Sequence, residues 1–201
     1  MNTIPGLPVS RRLFLSGLLA VPALATLGRA AAKAPRWQIG CYTRPWIEHE
    51  PLVALDAIAA AGFKYAGLMN AKGGMIIGPA TPPEKAAALG AEAKSRGLGI
   101  ASIYGGDFLV PKSPADSISR LQALIDRCAL CGCPSLLLGG TGKAELVDAY
   151  YKTVATCCDY AAAKGVGLTV KPHGGTNATG PECRKLIEAV GRNRLTAVAK
   201  G

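Results

Sequence analysis

The sequence predicts an α/β fold, an incomplete (β/α) barrel of about five to six β/α units, and three observations carry that expectation. Glycines recur at Gly62, Gly97, Gly132 and Gly165, spaced 35, 35 and 33 residues apart. Each precedes a short apolar run by a few residues and follows a stretch that reads as a helix, the place where a left-handed C-cap glycine belongs. The apolar runs are mostly hydrophobic on both faces, which is the pattern of parallel strands covered by helical crossovers.

Taken in order, the strands fall at about Trp37–Tyr42, Lys64–Met69, Gly99–Tyr104, Ser135–Gly139 and Gly167–Lys171, and a sixth begins at Leu195. Between them, Thr81-Pro82-Pro83-Glu84 has the form of a capping box before an Ala-rich helix. Ser113-Pro114-Ala115-Asp116 opens another helix, with proline at the first helical position. Its apolar stripe is Ile118, Leu121, Ile125 and Cys128. Lys143 to Lys164 reads as one longer helix, and Pro181 to Val190 as the last, stopped by Gly191. A whole (β/α)₈ barrel takes roughly 250 residues, and the chain has 201. The sequence therefore describes either a C-terminally truncated barrel or an open doubly wound sheet. The first is the preferred expectation, because the last residues fall in or just after a strand. In both, ligands meet the C-terminal ends of the strands.

The N-terminus has a different character. Ser10-Arg11-Arg12-Leu13-Phe14-Leu15 carries a twin-arginine pattern, an apolar run follows to Leu27, and Ala30-Ala31-Ala32 is a small-residue cleavage site. The expectation is a twin-arginine signal peptide over residues 1–32 and a partial barrel domain over 33–201. The protein would be periplasmic, a client of the twin-arginine export machinery. The apolar run is short for a membrane span, so no stable membrane insertion is expected after cleavage. The formal charge is +10, yet the Lys and Arg residues are scattered, with no basic run interleaved with aromatics. That fits a solvated basic surface and gives no expectation of nucleic-acid binding.

Candidate functional residues lie just past the strands. They are Tyr42, Arg44 and Trp46 after the first, Asn70 after the second, Tyr104 at the third, Thr141 after the fourth, and Lys171 and His173 after the fifth. Trp46 and Tyr104 could stack on a ligand's C–H-rich face or simply pack in the barrel mouth. The turn Gly139-Gly140-Thr141-Gly142-Lys143 is either an anion cradle before a helix or a tight strand-to-helix turn, and it lacks P-loop spacing. His173 reads as an acid/base or ligand-binding histidine, or as a loop histidine bonded to a carbonyl. Lys171 reads as a cation for a ligand carbonyl or as a solvated rim lysine. His49, in a charged stretch, reads as solvated.

The twin-arginine signal, the 35-residue rhythm, Ala61-Gly62-Phe63-Lys64-Tyr65 before the second strand, and Val170-Lys171-Pro172-His173-Gly174-Gly175 at the fifth resemble exported members of the xylose-isomerase-like TIM-barrel family, the sugar phosphate isomerases and epimerases. The resemblance runs from about Trp37 to Val198. It implies a small carbohydrate ligand and proton transfer next to a sugar carbonyl through an enediol-type intermediate. His173 and Lys171 would then be the catalytic residues. Complete relatives often hold a divalent metal with carboxylates and histidine from the later strands. Many carry Glu where Lys171 stands, and an Asp after the sixth strand, where this chain reads Thr196-Ala197-Val198. No metal site and no cofactor are expected here. A non-catalytic carbohydrate-binding protein, or an inactive truncated barrel, is the alternative.

Seven cysteines complete the sequence. Cys128-x-x-Cys131-x-Cys133 has metal-ligand character, but Cys128 and Cys183 sit on apolar helix faces, where cysteine behaves as a small hydrophobe. Cys157 and Cys158 are adjacent on a helix and diverge by about 100°. Buried thiols are the main expectation, one or two disulfides or a metal site the others. The odd count leaves at least one thiol unpaired within the chain.

Overall fold

A computed structural model describes residues 38–172 and 174–191 and the backbone of residues 195–197. The proposed signal peptide and His173 lie outside the described residues. Six strands form one sheet: β1 (Gly40–Tyr42), β2 (Tyr65–Leu68), β5 (Gly99–Tyr104), β6 (Ser135–Leu138), β7 (Gly167–Val170) and β8 (Leu195–Ala197). Every neighbouring pair is parallel. The helices between them are α1 (Pro51–Ala60), α2 (Pro83–Ser95), α3 (Pro114–Leu130), α4 (Val147–Ala163) and α5 (Gly180–Val190).

The strands lie side by side in chain order, β1-β2-β5-β6-β7-β8, with no reversal. Helices α2, α3, α4 and α5 likewise pack each against the next. A doubly wound sheet would reverse its strand order at a switch point and carry helices on both faces. The progression seen here is that of a singly wound barrel, so the open doubly wound alternative is set aside. Among the described residues, β1 and β8 each pair on one side only.

The repeat works as its glycines imply. Gly62, Gly97, Gly132 and Gly165 have φ of 85°, 71°, 68° and 69°. This left-handed region costs glycine little and other residues more. Behind each cap the chain returns to the sheet through a tight backbone bond, such as Cys133 N–H to the Cys128 carbonyl at 2.9 Å.

Strand alternation then sorts the side chains. Ala66, Leu68, Ile100, Ile103, Leu136, Leu138, Leu168 and Val170 are all at most 5% exposed and share one core with Leu55, Ile58, Leu121, Leu124, Ile125 and Val154 from the helices. Each fully buried Leu or Ile contributes about 1.5–3 kcal/mol. The predicted stripe on α3 buries Leu121, Ile125 and Cys128, with Ile118 packed at its edge. On the other sheet face, Tyr42, Tyr65, Ser102, Tyr104, Ser135, Thr169 and Lys171 are only half-buried.

Two local expectations are corrected. Thr81 does not cap α2, because its hydroxyl accepts from the Gly78 N–H at 2.9 Å and the N-cap position falls on Pro82. A capping box does form at α5, where Thr179 and Glu182 exchange bonds. The stretch from Lys143 begins as a 3₁₀ turn, Ala144–Leu146, and becomes α-helical only at Val147. A two-stranded hairpin, β3 (Asn70–Ala71) with β4 (Gly74–Met75), follows β2 and was not foreseen. The expected cap at Ser113 is present, its hydroxyl accepting from Asp116 N–H at 3.3 Å.

All seven cysteines are free thiols, and six are buried. Cys128 is fully buried, and its hydrogen bond with Cys133 together with burial pushes its thiol well up. It is a neutral packing group at ordinary pH.

Candidate active site at the strand C-termini

The strand register explains which residues share the rim. Tyr42 stands opposite Gly67, and Gly67 opposite Ser102, one row across β1, β2 and β5. Because Gly67 has no side chain, the Tyr42 ring lies across it; a Cβ at Gly67 would come within 2.6 Å of the ring. Burial raises the Tyr42 phenol above its usual range, with the Ser102 hydroxyl pulling the other way. Just above, Thr43 is fully buried, its hydroxyl accepting from the Met69 N–H at 3.0 Å and its own N–H donating to Gly67 at 2.9 Å. This ties the loop after β1 to the end of β2.

Of the other predicted residues, Arg44 is exposed on the 3₁₀ turn Arg44–Trp46, while Trp46 is half-buried against the hydrophobic core. Asn70 sits in the hairpin, paired with Met75. Tyr104 ends β5, and its hydroxyl lies over Gly139, where a Cβ would come within 2.6 Å. Lys171 immediately follows β7, half-buried, its N–H bonded to the Leu138 carbonyl at 2.9 Å. Thr141 is half-buried in the loop after β6, its hydroxyl accepting from Lys143 N–H at 3.2 Å. Tyr104, Thr141 and Lys171 thus stand at adjoining strand ends, and Tyr42 stands across Gly67 from Ser102 on the same face. His173 lies outside the described residues.

Sequence reasoning missed the layer that supports these groups. Asn177 is fully buried and donates to the Lys171 carbonyl at 3.1 Å and the Gly139 carbonyl at 3.4 Å. It thereby clamps the ends of β6 and β7 together. Thr176 donates to the Thr141 carbonyl at 2.6 Å, and the Cys183 thiol to the Asn177 carbonyl at 3.2 Å. From α4, the Tyr150 hydroxyl accepts from Gly140 N–H at 3.3 Å, and its ring stacks at 4.7 Å from Phe108 and 5.2 Å from Tyr151. Burial drives the Tyr150 phenol well up and the Tyr151 phenol to about 12. Among the described residues, two buried atoms, Tyr151 Oη and Asn177 Oδ1, have no partner that meets strict hydrogen-bond geometry. The Asn177 side chain beside it pulls the Tyr151 pKa down, against the larger effect of burial. An orphaned buried polar atom costs about 1–3 kcal/mol. In the sequence nothing periodic marks this layer, which shows there just as adjacent tyrosines and an amide after Gly174-Gly175.

A hard divalent cation takes several oxygen ligands. Among the described residues, no group of three or more His, Cys, Asp or Glu is placed to hold a metal. On the rim the carboxylate of Asp107 is exposed, and the end of β7 presents the ammonium of Lys171. These residues do not fit a divalent ion.

Comparison with known proteins agrees with this architecture. No curated protein matches the sequence. Among solved structures, a xylose isomerase domain protein from Planctomyces limnophilus matches with a TM-score of 0.58 at 17% identity, over 80% of this chain and 62% of its own. A xylose isomerase-like TIM barrel protein from Mycobacterium smegmatis, in complex with magnesium, matches with a TM-score of 0.65 at 15% identity, over 81% and 64%. The 3-keto-D-glucoside 4-epimerase from E. coli matches with a TM-score of 0.60 at 13% identity, over 81% and 67%. The chain therefore spans less than two thirds of the first two, and at these identities the likeness is one of fold. The family model described as xylose isomerase-like TIM barrel matches residues 55–199. The chain belongs to the xylose isomerase-like TIM barrel family.

Proposed function

We propose that this chain serves a carbohydrate isomerase or epimerase that moves a proton at a carbon next to a sugar carbonyl. The observation that carries the reading is the placement of Lys171 at the end of β7, beside a rim bearing Tyr104 and Thr141. In this reading a base removes the proton next to the carbonyl, the C–H electron pair becomes a carbon–carbon double bond while the carbonyl π pair moves onto its oxygen, and an enediolate forms. Lys171 stabilises the oxyanion. His173, two residues further on, takes the proton and returns it to the neighbouring carbon or to the other face of the same carbon. Tyr42, Arg44, Trp46, Asn70, Tyr104 and Thr141 hold the sugar. General acid–base steps of this kind contribute roughly 10²–10⁴-fold to rate.

The test is solvent deuterium exchange, read by NMR, into a panel of free and phosphorylated aldoses and ketoses. Exchange should be lost on His173→Ala and fall at least about 10²-fold on Lys171→Met. Exchange unaffected by both substitutions contradicts the assigned roles. Saturable sugar binding with no exchange in the wild type selects a non-catalytic carbohydrate-binding protein, the alternative motivated by the lack of a glutamate at position 171. We further propose a periplasmic location through the twin-arginine segment. A reporter fused after residue 32 should be exported only in cells with that pathway, and Arg11→Lys with Arg12→Lys should block it.

A further inference from the structure

The Cys128-x-x-Cys131-x-Cys133 pattern, which the catalytic reading leaves unused, closes the end of α3. The Cys133 N–H donates to the Cys128 carbonyl at 2.9 Å and the Gly132 N–H to the Ala129 carbonyl at 3.0 Å, around Gly132 at φ 68°. Two such bonds about a left-handed glycine make a Schellman motif, whose outermost residues bring their side chains into contact. That contact is usually apolar, and here both partners are thiols. The 2.9 Å bond, with ordinary bond lengths, holds the two Cα atoms no more than about 6.8 Å apart, within the span of a disulfide. The thiols hydrogen-bond to each other, and that bond is the largest influence on both: it lowers the Cys133 thiol and raises that of Cys128. Cys131 turns away, its thiol donating to the Ala86 carbonyl on α2 at 3.1 Å. Cys128 and Cys133 are buried, yet Ala129, Leu130, Gly132 and Pro134 around them are exposed, so the pair lies directly beneath a surface turn.

We propose that Cys128 and Cys133 form a redox-modification site, converted to an intramolecular disulfide by hydrogen peroxide. The Cys133 thiolate attacks one peroxide oxygen and the O–O bond breaks. The leaving hydroxide takes up the proton that Cys133 gave up and departs as water, and Cys133 is left as a sulfenic acid. The Cys128 sulfur then attacks the Cys133 sulfur, and its proton leaves with the sulfenic hydroxyl as a second water. In sum, two thiols lose two hydrogens and the peroxide is reduced to two waters. The bridge staples the end of α3 to the residue two before β6. The inference is independent of the carbohydrate reading, because its readout is covalent.

The test treats the native full chain with graded hydrogen peroxide, alkylates the remaining thiols and maps tryptic peptides by mass spectrometry. Cleavage after Arg127 and Lys143 releases Cys128, Cys131 and Cys133 in one peptide. The expected product is that peptide two hydrogens lighter, with Cys131 as its one alkylated cysteine. Cys131→Ala should keep the two-hydrogen loss, and Cys128→Ala and Cys133→Ser should abolish it. The wild-type map alone decides the matter should either buried variant fail to fold. A bridge that includes Cys131 overturns the proposal, as does Cys133 sulfinic acid beside a free Cys128. So does the absence of any bridge at peroxide levels that already oxidise methionine. In denaturant the Schellman contact is lost, and the preference for the Cys128–Cys133 bridge should be lost with it. An identical product distribution in the native and unfolded chains shows that the fold does not select the pair, and overturns the proposal.

Discussion

Substituting Gly67 by alanine tests how the rim row is built. Cβ would arrive 2.6 Å from Cδ1 and Cε1 of Tyr42 and 2.8 Å from its Cγ. Carbon atoms pack at about 3.5–4.0 Å, so the ring must retreat by about 1 Å. The near atoms include Cγ, at the root of the ring, so a small rotation of its tip will not suffice. Overpacking of this kind costs about 1–3 kcal/mol, and replacing glycine returns about 0.4–1 kcal/mol through the unfolded chain. The net expectation is a loss of about 1–2 kcal/mol in urea unfolding. In a Tyr42→Ala background the obstacle is gone, and the same substitution should be neutral or slightly stabilising. The cycle then yields a coupling of about 2 kcal/mol between positions 42 and 67. Displacing the ring should also relieve the burial that raises the Tyr42 phenol, bringing its titration, followed by ultraviolet absorbance, back toward 10. An equal cost in both backgrounds would refute the claim that Tyr42 occupies the space that Gly67 leaves.

Other consequences follow from contacts elsewhere in the fold. Thr43→Val keeps the shape but removes the acceptor for Met69 N–H; a loss of about 1–2 kcal/mol is expected, read by denaturant unfolding. Thr179→Ala removes the side-chain half of the capping box on α5 and should lower stability by about 1 kcal/mol, with helix content at α5 reported by amide exchange. Asp126 joins α3 to α4 through Lys164 at 3.0 Å and the Tyr160 hydroxyl at 2.8 Å. Burial raises its carboxyl, but the bonds from Lys164 and Tyr160 outweigh that and hold it below its ordinary value. A depressed folded-state pKa means that its contribution is complete above about pH 4 and disappears as pH falls further. Because the pair is largely solvated, the contribution is small. The stability difference between wild type and Asp126→Asn should therefore shrink on acidification below pH 4.

Most of the fold was legible because it rests on short-range chemistry that repeats. The four C-cap glycines announce helix ends, and the apolar runs after them can only be strands buried by helices. Their start at Gly99, Ser135 and Gly167 follows directly. Chain order along the sheet was not legible. A singly wound barrel sheet and a doubly wound sheet share the same alternation, and only the unreversed pairing separates them. Thr81-Pro82-Pro83-Glu84 misled because its spacing fits a capping box, whereas a local turn to Gly78 takes up the Thr81 hydroxyl. Thr179 and Glu182 carry the same spacing, and there the box forms. The rim positions could be read, since strand ends converge in any parallel sheet of this kind. The support beneath them could not. Asn177 acts by reaching two carbonyls 38 and 6 residues away, and Gly67 acts through a neighbour on another strand. Neither leaves a periodic trace.

The account depends on the strand C-termini forming one ligand-facing mouth. Amide chemical-shift mapping on titration with a ketose, in uniformly ¹⁵N-labelled protein, addresses this most directly. The predicted result is saturable perturbation grouped at Tyr42, Asn70, Tyr104, Thr141 and Lys171, four or more of them from different strand ends. Perturbations centred on Gly40, Gly99 and Gly167 at the opposite pole, or scattered over the helices, would contradict it.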